Sequence, residues 1–87
     1  MRLDKYLKVS RLIKRRSVAK GAAEGEKILV NGNYVKPAKD VKVGDLITIE
    51  YSTRSITVKV ISLDIQNQKE KAKEMYEFVS EAKKNDS

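Results

Sequence analysis

Apolar positions near the start of the chain recur at helical spacing. Leu3, Tyr6 and Leu7 fall on one face, so the pattern predicts a short amphipathic helix over about residues 3–9. Asp4 lies in its first turn, where a negative charge is favourable beside the helix dipole. A helix this short is unstable alone, and it therefore needs other elements to pack on.

A second helix is predicted after a basic connector over residues 11–16. Ser17 is a residue type that caps helix N-termini, and it is followed by small residues that allow close packing: Val18, Ala19, Ala22 and Ala23. Gly21 weakens this helix by about 1 kcal/mol relative to alanine. Gly25 is expected to end it, because glycine accepts the left-handed backbone that follows many helices.

The middle of the chain has the pattern of a small sheet. Residues 28–30 form a short apolar strand, and Asn31-Gly32 is a strong signal for a hairpin turn. Residues 46–51 and 56–63 are rich in β-branched side chains, with a turn between them at 52–55. We therefore expect an α+β fold, in which two short N-terminal helices pack on a small, mostly antiparallel sheet.

The C-terminal part has a different pattern. Residues 66–71 are polar and are expected to be exposed. Apolar residues then recur at helical spacing over about residues 69–84: Ala72, Met75, Tyr76, Val79 and Ala82. This predicts a C-terminal helix whose apolar stripe packs on the core rather than on a partner. The chain is accordingly divided into a domain with its sheet, residues 1–64, and a connector with a helix, residues 65–87.

Charge changes this picture because it is concentrated in one segment. The 87 residues include 19 Lys and Arg against 12 Asp and Glu. Residues 1–20 alone account for the net charge of +7, and the rest of the chain is balanced. The basic residues of that segment are Arg2, Lys5, Lys8, Arg11, Lys14, Arg15, Arg16 and Lys20. Such a skew indicates a surface that binds a polyanion, and a solvated basic helix pair is the plainer alternative.

The composition also excludes several classes of chemistry. The chain has no Cys, His or Trp, which removes thiol nucleophiles, disulfides, imidazole bases and metal sites built on Cys or His. It has no glycine-rich phosphate loop either, so we expect no enzyme, no metal and no cofactor.

Apolar runs are too short to span a membrane, and the basic N-terminus lacks the apolar stretch of a signal peptide. We expect a cytoplasmic monomer.

Nucleic acid is the polyanion that these residues suit best. Lys and Arg neutralise phosphates, and the start of the second helix, at Arg16 and Ser17, offers backbone N–H groups to the same phosphate. Asn31 and Lys36 are candidates beside this surface, although turn geometry also explains Asn31 and capping explains Ser17. RNA is favoured over DNA because the sequence lacks a long recognition helix.

Two other classes of protein fit the same residues. A small nucleoid protein or a membrane-surface protein also needs clustered Lys and Arg, and tighter binding to duplex DNA than to structured RNA would indicate it. The other class is an accessory domain separated from an RNA-modifying enzyme, which requires a catalytic partner chain.

Few aromatic residues are available for stacking on bases. Tyr6 and Tyr34 are candidates, and each suits the core equally.

An ordered set of motifs runs through the first half of the chain: Arg2-Leu3-Asp4-Lys5-Tyr6-Leu7, Arg11, Lys14-Arg15-Arg16-Ser17-Val18-Ala19-Lys20 and Ile28-Leu29-Val30-Asn31-Gly32. The set resembles the RNA-binding domain first known from ribosomal protein S4, over about residues 1–51. That resemblance implies the alpha-L motif, in which two helices form an L and pack on a short sheet.

Two further segments narrow the resemblance: Lys36-Pro37-Ala38-Lys39 and Met75-Tyr76-Glu77. They are similar to a bacterial subfamily that contains the fifteen-kilodalton heat-shock protein and RqcP, and the short, near-neutral tail is closer to the RqcP type. The subfamily implies binding to large ribosomal subunits obstructed by peptidyl-tRNA, with contacts to ribosomal RNA and tRNA. It also implies work with the NEMF-type protein RqcH, in which stalled chains are extended with alanine.

The resemblance also implies roles for individual residues. Arg2, Lys5 and Arg16 are expected to contact RNA, and Asp4 is expected to orient neighbouring basic side chains. A general RNA-binding module, or a subunit-recycling factor like the heat-shock relative, is the alternative.

Overall fold

The computed structural model describes residues 1–64 and 74–83. Two helices come first, α1 (Leu3–Val9) and α2 (Arg16–Glu24). Five strands follow: β1 (Ile28–Val30), β2 (Asn33–Tyr34), β3 (Leu46–Glu50), β4 (Arg54–Val60) and β5 (Tyr76–Lys83). In these ranges, neither helix has the length and apolar character needed to cross a membrane.

The strands form one sheet in the order β2-β1-β3-β4-β5, and all neighbours are antiparallel. One face of the sheet carries the core. Leu3, Tyr6 and Leu7 of α1 are fully buried with Ile28 and Ile47 of the sheet. The predicted α+β fold with a mostly antiparallel sheet is confirmed, and α1 has the predicted bounds.

The first hairpin forms at the predicted turn. Asn31 and Gly32 have φ of 53° and 85°, and Val30 pairs with Asn33 across them. Positive φ at both central residues is typical of the tight turn whose twist matches antiparallel strands. The second turn is shorter than predicted, because β4 already begins at Arg54.

The ends of α2 differ from the prediction in two ways. Ser17 does not cap the helix: Arg15 is the extended residue before it, Arg16 is already helical, and no side-chain cap hydrogen bond forms. Gly25 does end the helix, but with φ of −85°. The left-handed residue is Glu26, with φ of 56°, which lets the Lys27 N–H reach back to the Ala22 carbonyl at 2.9 Å.

The predicted C-terminal helix is wrong over residues 74–83, and its other residues lie outside the described ranges. Tyr76–Lys83 is a strand that pairs with the outer edge of β4, in a register running from Val60↔Tyr76 to Arg54↔Lys83, with an irregularity at Thr57/Val58. The open edge of β4 offers unpaired backbone groups, and pairing with them outweighs the helical spacing of the side chains. The division of the chain at residues 64 and 65 stays a prediction.

The N-terminus is fixed by the segment before β3. The Leu3 N–H donates to the Lys39 carbonyl at 2.8 Å, and the Val41 N–H donates to the Met1 carbonyl at 2.9 Å. The terminal ammonium contacts Asp40 at 2.7 Å. These contacts hold Arg2 in an extended conformation at the start of α1, so its side chain emerges at a defined position.

Candidate RNA-binding surface

A buried carboxylate lies at the centre of the basic region. Asp4 is the second residue of α1, and its backbone N–H donates to the Pro37 carbonyl at 3.2 Å. Its side chain is only 3% exposed. The Lys5 N–H donates to Oδ1 at 2.8 Å. A charged group in this position requires partners, since burial without them is costly.

Those partners are two arginines from different helices. Arg2 donates from Nε to Asp4 Oδ1 at 3.2 Å and from Nη2 to Oδ2 at 3.3 Å, a forked contact. Arg16 places Nη2 and Nε 3.5 Å from Oδ1 and Oδ2 of the same carboxylate. Asp4 therefore joins the start of α1 to the start of α2 through its side chain.

The electrostatics of Asp4 follow from this geometry. Burial alone would raise its pKa, but the hydrogen bonds from Arg2, from the Lys5 backbone and from Arg16, together with the Arg16 charge, lower the pKa below its ordinary value. The carboxylate is thus ionised at neutral pH, and it fixes the direction of both guanidinium groups.

Both arginines keep a free side. The Arg2 side chain is 50% exposed and the Arg16 side chain 49%. A guanidinium has five N–H donors in a planar fork, so the donors that do not face Asp4 are available to an external phosphate. We name Arg2, Asp4 and Arg16 the arginine pair cluster. It is chemically suited to hold two phosphate oxygens at a set spacing.

The other basic residues predicted to bind RNA surround this cluster on the helices and their connector. Lys5 is half-buried, and the remaining ones are exposed: Lys8, Arg11, Lys14, Arg15 and Lys20. Lys20 lies 4.0 Å from Glu24 one turn further along α2. Ser17 is exposed on the first turn of α2, beside Arg16.

Asn31 is occupied by its own turn. Its Oδ1 accepts from the Leu46 N–H at 3.0 Å, and its Nδ2 donates to Asp45 at 3.2 Å. These bonds fasten the hairpin to the start of β3. These hydrogen bonds account for the Asn31 side chain without any contact to RNA. Its predicted contact with RNA stays a prediction.

Lys36 lies at a groove that sequence reasoning missed. The groove has a volume of about 520 Å³ and is formed by α2, Arg2 and the segment that follows β2. Its lining consists of Arg2, Lys20, Ala23, Glu24, Glu26, Tyr34, Val35, Lys36, Pro37 and Ala38. The sequence showed the Lys36-Pro37 loop, but only the folded chain brings this loop opposite α2. We name this feature the α2 groove.

The two tyrosines considered for stacking differ in position. Tyr6 is fully buried, and its hydroxyl donates to the Met75 carbonyl at 2.6 Å; burial raises its pKa well above the ordinary value. This tyrosine belongs to the core. Tyr34 is 51% exposed and is among the residues of the α2 groove.

Several known proteins resemble this chain in sequence. The S4 domain family model matches residues 1–47. The chain is 49% identical over 87 residues to the RQC P-site tRNA stabilizing factor of Listeria monocytogenes, covering 100% of this chain and 95% of the relative. It is 38% identical over 66 residues to the heat shock protein 15 homologue of Aeromonas salmonicida, covering 76% of this chain and 50% of the relative.

A solved structure also matches. The trimeric structure of Vibrio cholerae Heat Shock Protein 15 superposes with a TM-score of 0.82 at 32% sequence identity, covering 92% of this chain and 82% of the other. The match extends beyond residues 1–47 of the S4 domain. The strands that follow those residues are therefore shared with the Vibrio structure as well.

Proposed function

This chain belongs to the S4 domain family and, within it, to the group of RQC P-site tRNA stabilizing factors, and from that premise we propose that it is a non-catalytic RNA-binding factor of ribosome-associated quality control. It binds large ribosomal subunits obstructed by peptidyl-tRNA and stabilises that tRNA. The observation that carries the proposal is the similarity to the Listeria protein from end to end, 100% of one chain and 95% of the other.

The arginine pair cluster supplies the mechanism. Arg2 and Arg16 are held on one buried carboxylate, so their free donors need little ordering when they meet a phosphate. Binding is strengthened when side chains are ordered in advance, because each immobilised side chain otherwise costs about 0.5–1.5 kcal/mol. The surrounding Lys and Arg add attraction that depends on salt. The two helices thereby recognise the shape and backbone of folded RNA.

The finer parts of the proposal rest on the family resemblance. The RNA contacted on the subunit is ribosomal RNA in addition to tRNA, and the partner is RqcH, with which the chain supports alanine tailing of stalled nascent chains in the cytoplasm. We expect the chain to act as a monomer. The Vibrio relative is a trimer, so light scattering of this chain belongs with the binding assays.

A subunit-recycling role, which the family resemblance implies for the heat-shock relative, is the second candidate, and this chain shares its fold with that relative. Sequence identity favours the first candidate, since it is 49% over 87 residues with the Listeria protein and 38% over 66 residues with the Aeromonas heat shock protein 15 homologue. Alanine-tail synthesis by purified subunits, with and without this chain, separates the two. A general polyanion-binding role is the third possibility, and RNA recovery from cells tests it.

The first experiment is recovery of a tagged chain from cells at moderate salt, followed by sequencing of the bound RNA. We expect large-subunit ribosomal RNA and tRNA without small-subunit RNA. Equal recovery of all cellular RNA, or recovery of mostly DNA, would contradict the proposal and leave only a non-specific basic surface.

Substitutions then test the cluster itself. Arg2→Ala and Arg16→Ala are expected to weaken subunit binding, and each should reduce the slope of log affinity against log salt by about one for every phosphate that the variant no longer neutralises. Arg54→Ala is the matched control, because Arg54 is 52% exposed on β4 and contacts Glu81 at 4.0 Å. Unchanged affinity and slope in both variants would remove the cluster from the interface.

A further inference from the structure

The α2 groove has apolar walls that the proposed RNA contacts do not use. Ala23 on α2 faces Val35, Pro37 and Ala38 of the segment after β2 across the groove. Ala38 is exposed, whereas Pro37 is buried. At about 520 Å³ the groove lies within the range of roughly 300–1,000 Å³ that small-molecule sites occupy. It is therefore large enough to hold a flat ring and not only an ion.

One end of the groove is cationic. Arg2 lies near the start of α2, because Asp4 contacts both Arg2 and Arg16. The Asp4 N–H donates to the carbonyl of the groove residue Pro37 at 3.2 Å. Asp4 holds the Arg2 guanidinium at 3.2 Å and leaves half of the side chain exposed. Lys36 belongs to the same loop as Pro37 and also lines the groove. A phosphate entering here meets two positive side chains.

Two acidic side chains line the groove where α2 ends, and Lys20 lies 4.0 Å from the first of them, Glu24. Glu24 is the last residue of α2, and Glu26 follows it; both line the groove. Tyr34, two residues before Lys36, also lines the groove, and its hydroxyl donates to Glu50 at 2.5 Å. The carbonyl groups at the C-terminus of α2 add further negative potential.

This polarity matches one kind of ligand. A nucleotide has a negative phosphate at one end and a flat apolar base at the other, and guanine, adenine and cytosine carry an exocyclic amino group. Carboxylates accept hydrogen bonds from such amino groups. Uracil lacks one, and its carbonyl oxygens would face the two glutamates unfavourably. A phosphate alone would leave the apolar walls and the glutamates unused.

We propose that the α2 groove is a nucleotide-binding site, which takes one unpaired nucleotide whose base carries an exocyclic amino group. The base lies between the apolar walls with its amino group toward Glu24 and Glu26, and the phosphate lies toward Arg2 and Lys36. The inference rests on the proposed function, because the nucleotide is part of the RNA that the basic surface binds. It adds recognition of a base to binding by shape and charge.

The test is NMR titration of the isotopically labelled full chain with four probes: GMP, UMP, ribose 5-phosphate and inorganic phosphate. GMP is expected to shift signals of Ala23, Val35 and Ala38, and to bind at least about fivefold more tightly than ribose 5-phosphate, as a base in contact with protein typically does. Equal binding of GMP and ribose 5-phosphate would overturn the proposal. Equal binding of UMP and GMP would overturn the assignment to amino-bearing bases.

The second measurement uses a variant in which a larger side chain fills the groove. Ala38→Leu places a larger side chain in the groove at an exposed position, without touching Arg2 or Arg16. It should abolish the preference for GMP over ribose 5-phosphate. Ala82→Leu, at an exposed position of β5, is the matched control and should keep that preference. Retention of the preference in Ala38→Leu would refute the site.

Nucleotide titration, combined with the binding and RNA-recovery experiments above, separates this inference from the proposed function. If Arg2→Ala loses subunit binding while the wild-type chain shows no preference for GMP over ribose 5-phosphate, the proposed function is supported and the nucleotide site is refuted. If GMP binds selectively while the tagged chain recovers all cellular RNA equally, the nucleotide site is supported and the proposed function is refuted.

Discussion

Replacement of Asp4 by asparagine is the sharpest test of the arginine pair cluster. The amide has nearly the same shape as the carboxylate and keeps an oxygen for the Lys5 N–H, which donates at 2.8 Å. It has no charge, and it therefore loses the ionic contacts with Arg2 and Arg16. The change removes the charge and places an NH2 donor where one carboxylate oxygen faced Arg2 and Arg16, so the two guanidinium groups lose the partner that orients them.

The expected loss of stability is small. Both arginines are about half exposed, so water screens these ion pairs, and exposed pairs contribute about 0.2–1 kcal/mol each. Two pairs sum to about 0.4–2 kcal/mol, and the hydrogen bonds to a nearly buried carboxylate place the total in the upper half of that range. We expect Asp4→Asn to lower the free energy of unfolding by about 1–2 kcal/mol at neutral pH.

The effect on RNA affinity is a competition between two terms. The substitution adds one unit of positive charge, which strengthens attraction to phosphates slightly because salt screens it. It also frees two arginine side chains, and ordering each again costs about 0.5–1.5 kcal/mol. The second term is larger, so we expect Asp4→Asn to weaken subunit binding about fivefold or more, while binding to heparin stays equal or becomes tighter.

The pH dependence has a definite sign. The pKa of Asp4 is lowered by folding from its ordinary value of 3.8, so its contribution is fully present above that value and is lost as pH falls through the lower folded pKa. The difference in stability between wild type and Asp4→Asn should thus be constant from about pH 5 to 8 and shrink below about pH 4.

Urea unfolding followed by circular dichroism measures these differences, and Asp40→Asn is the control. The terminal ammonium contact lowers the pKa of Asp40 as well, but the Asp40 side chain is 67% exposed, so its loss should matter less. Equal destabilisation by the two substitutions would refute the role assigned to burial. An unchanged subunit affinity in Asp4→Asn would refute the orienting role.

Three further predictions concern stability, each measured by urea unfolding. Tyr6→Phe should cost about 1 kcal/mol, since it removes the bond to the Met75 carbonyl; no loss would mean that this bond does not hold the β5 end of the chain. Glu26→Gly should stabilise by about 0.5–1 kcal/mol, because glycine adopts φ of 56° without strain, and destabilisation would contradict this reading of the α2 terminus. Asn31→Gly keeps the positive φ but removes the hydrogen bond between the Asn31 side chain and the Leu46 N–H. We therefore expect the free energy of unfolding to fall by about 1 kcal/mol and the RNA affinity to stay unchanged. Weaker RNA binding by this variant would indicate that Asn31 contacts RNA.

Local features of the fold were predictable because their signals lie within a few residues. The spacing of Leu3, Tyr6 and Leu7 predicted α1 with its bounds, and Asn31-Gly32 predicted the hairpin. Ser17 was wrongly predicted to cap α2, since a cap requires an extended backbone and Arg15 adopts it instead. Side-chain type alone does not decide which of two adjacent residues leaves the helix.

The candidate site likewise has some features that are predictable from the sequence and others that depend on the fold. The sequence by itself determined that the net positive charge lies in residues 1–20, on the helix pair and its connector, since charge and periodicity are properties of the linear chain. Only the tertiary structure decided that Arg2 and Arg16 share Asp4, that the Lys36 loop lies opposite α2, and that Tyr76–Lys83 is a strand. Each of these depends on a partner distant in sequence, and backbone and charged groups removed from water take whichever partner the completed fold brings within reach.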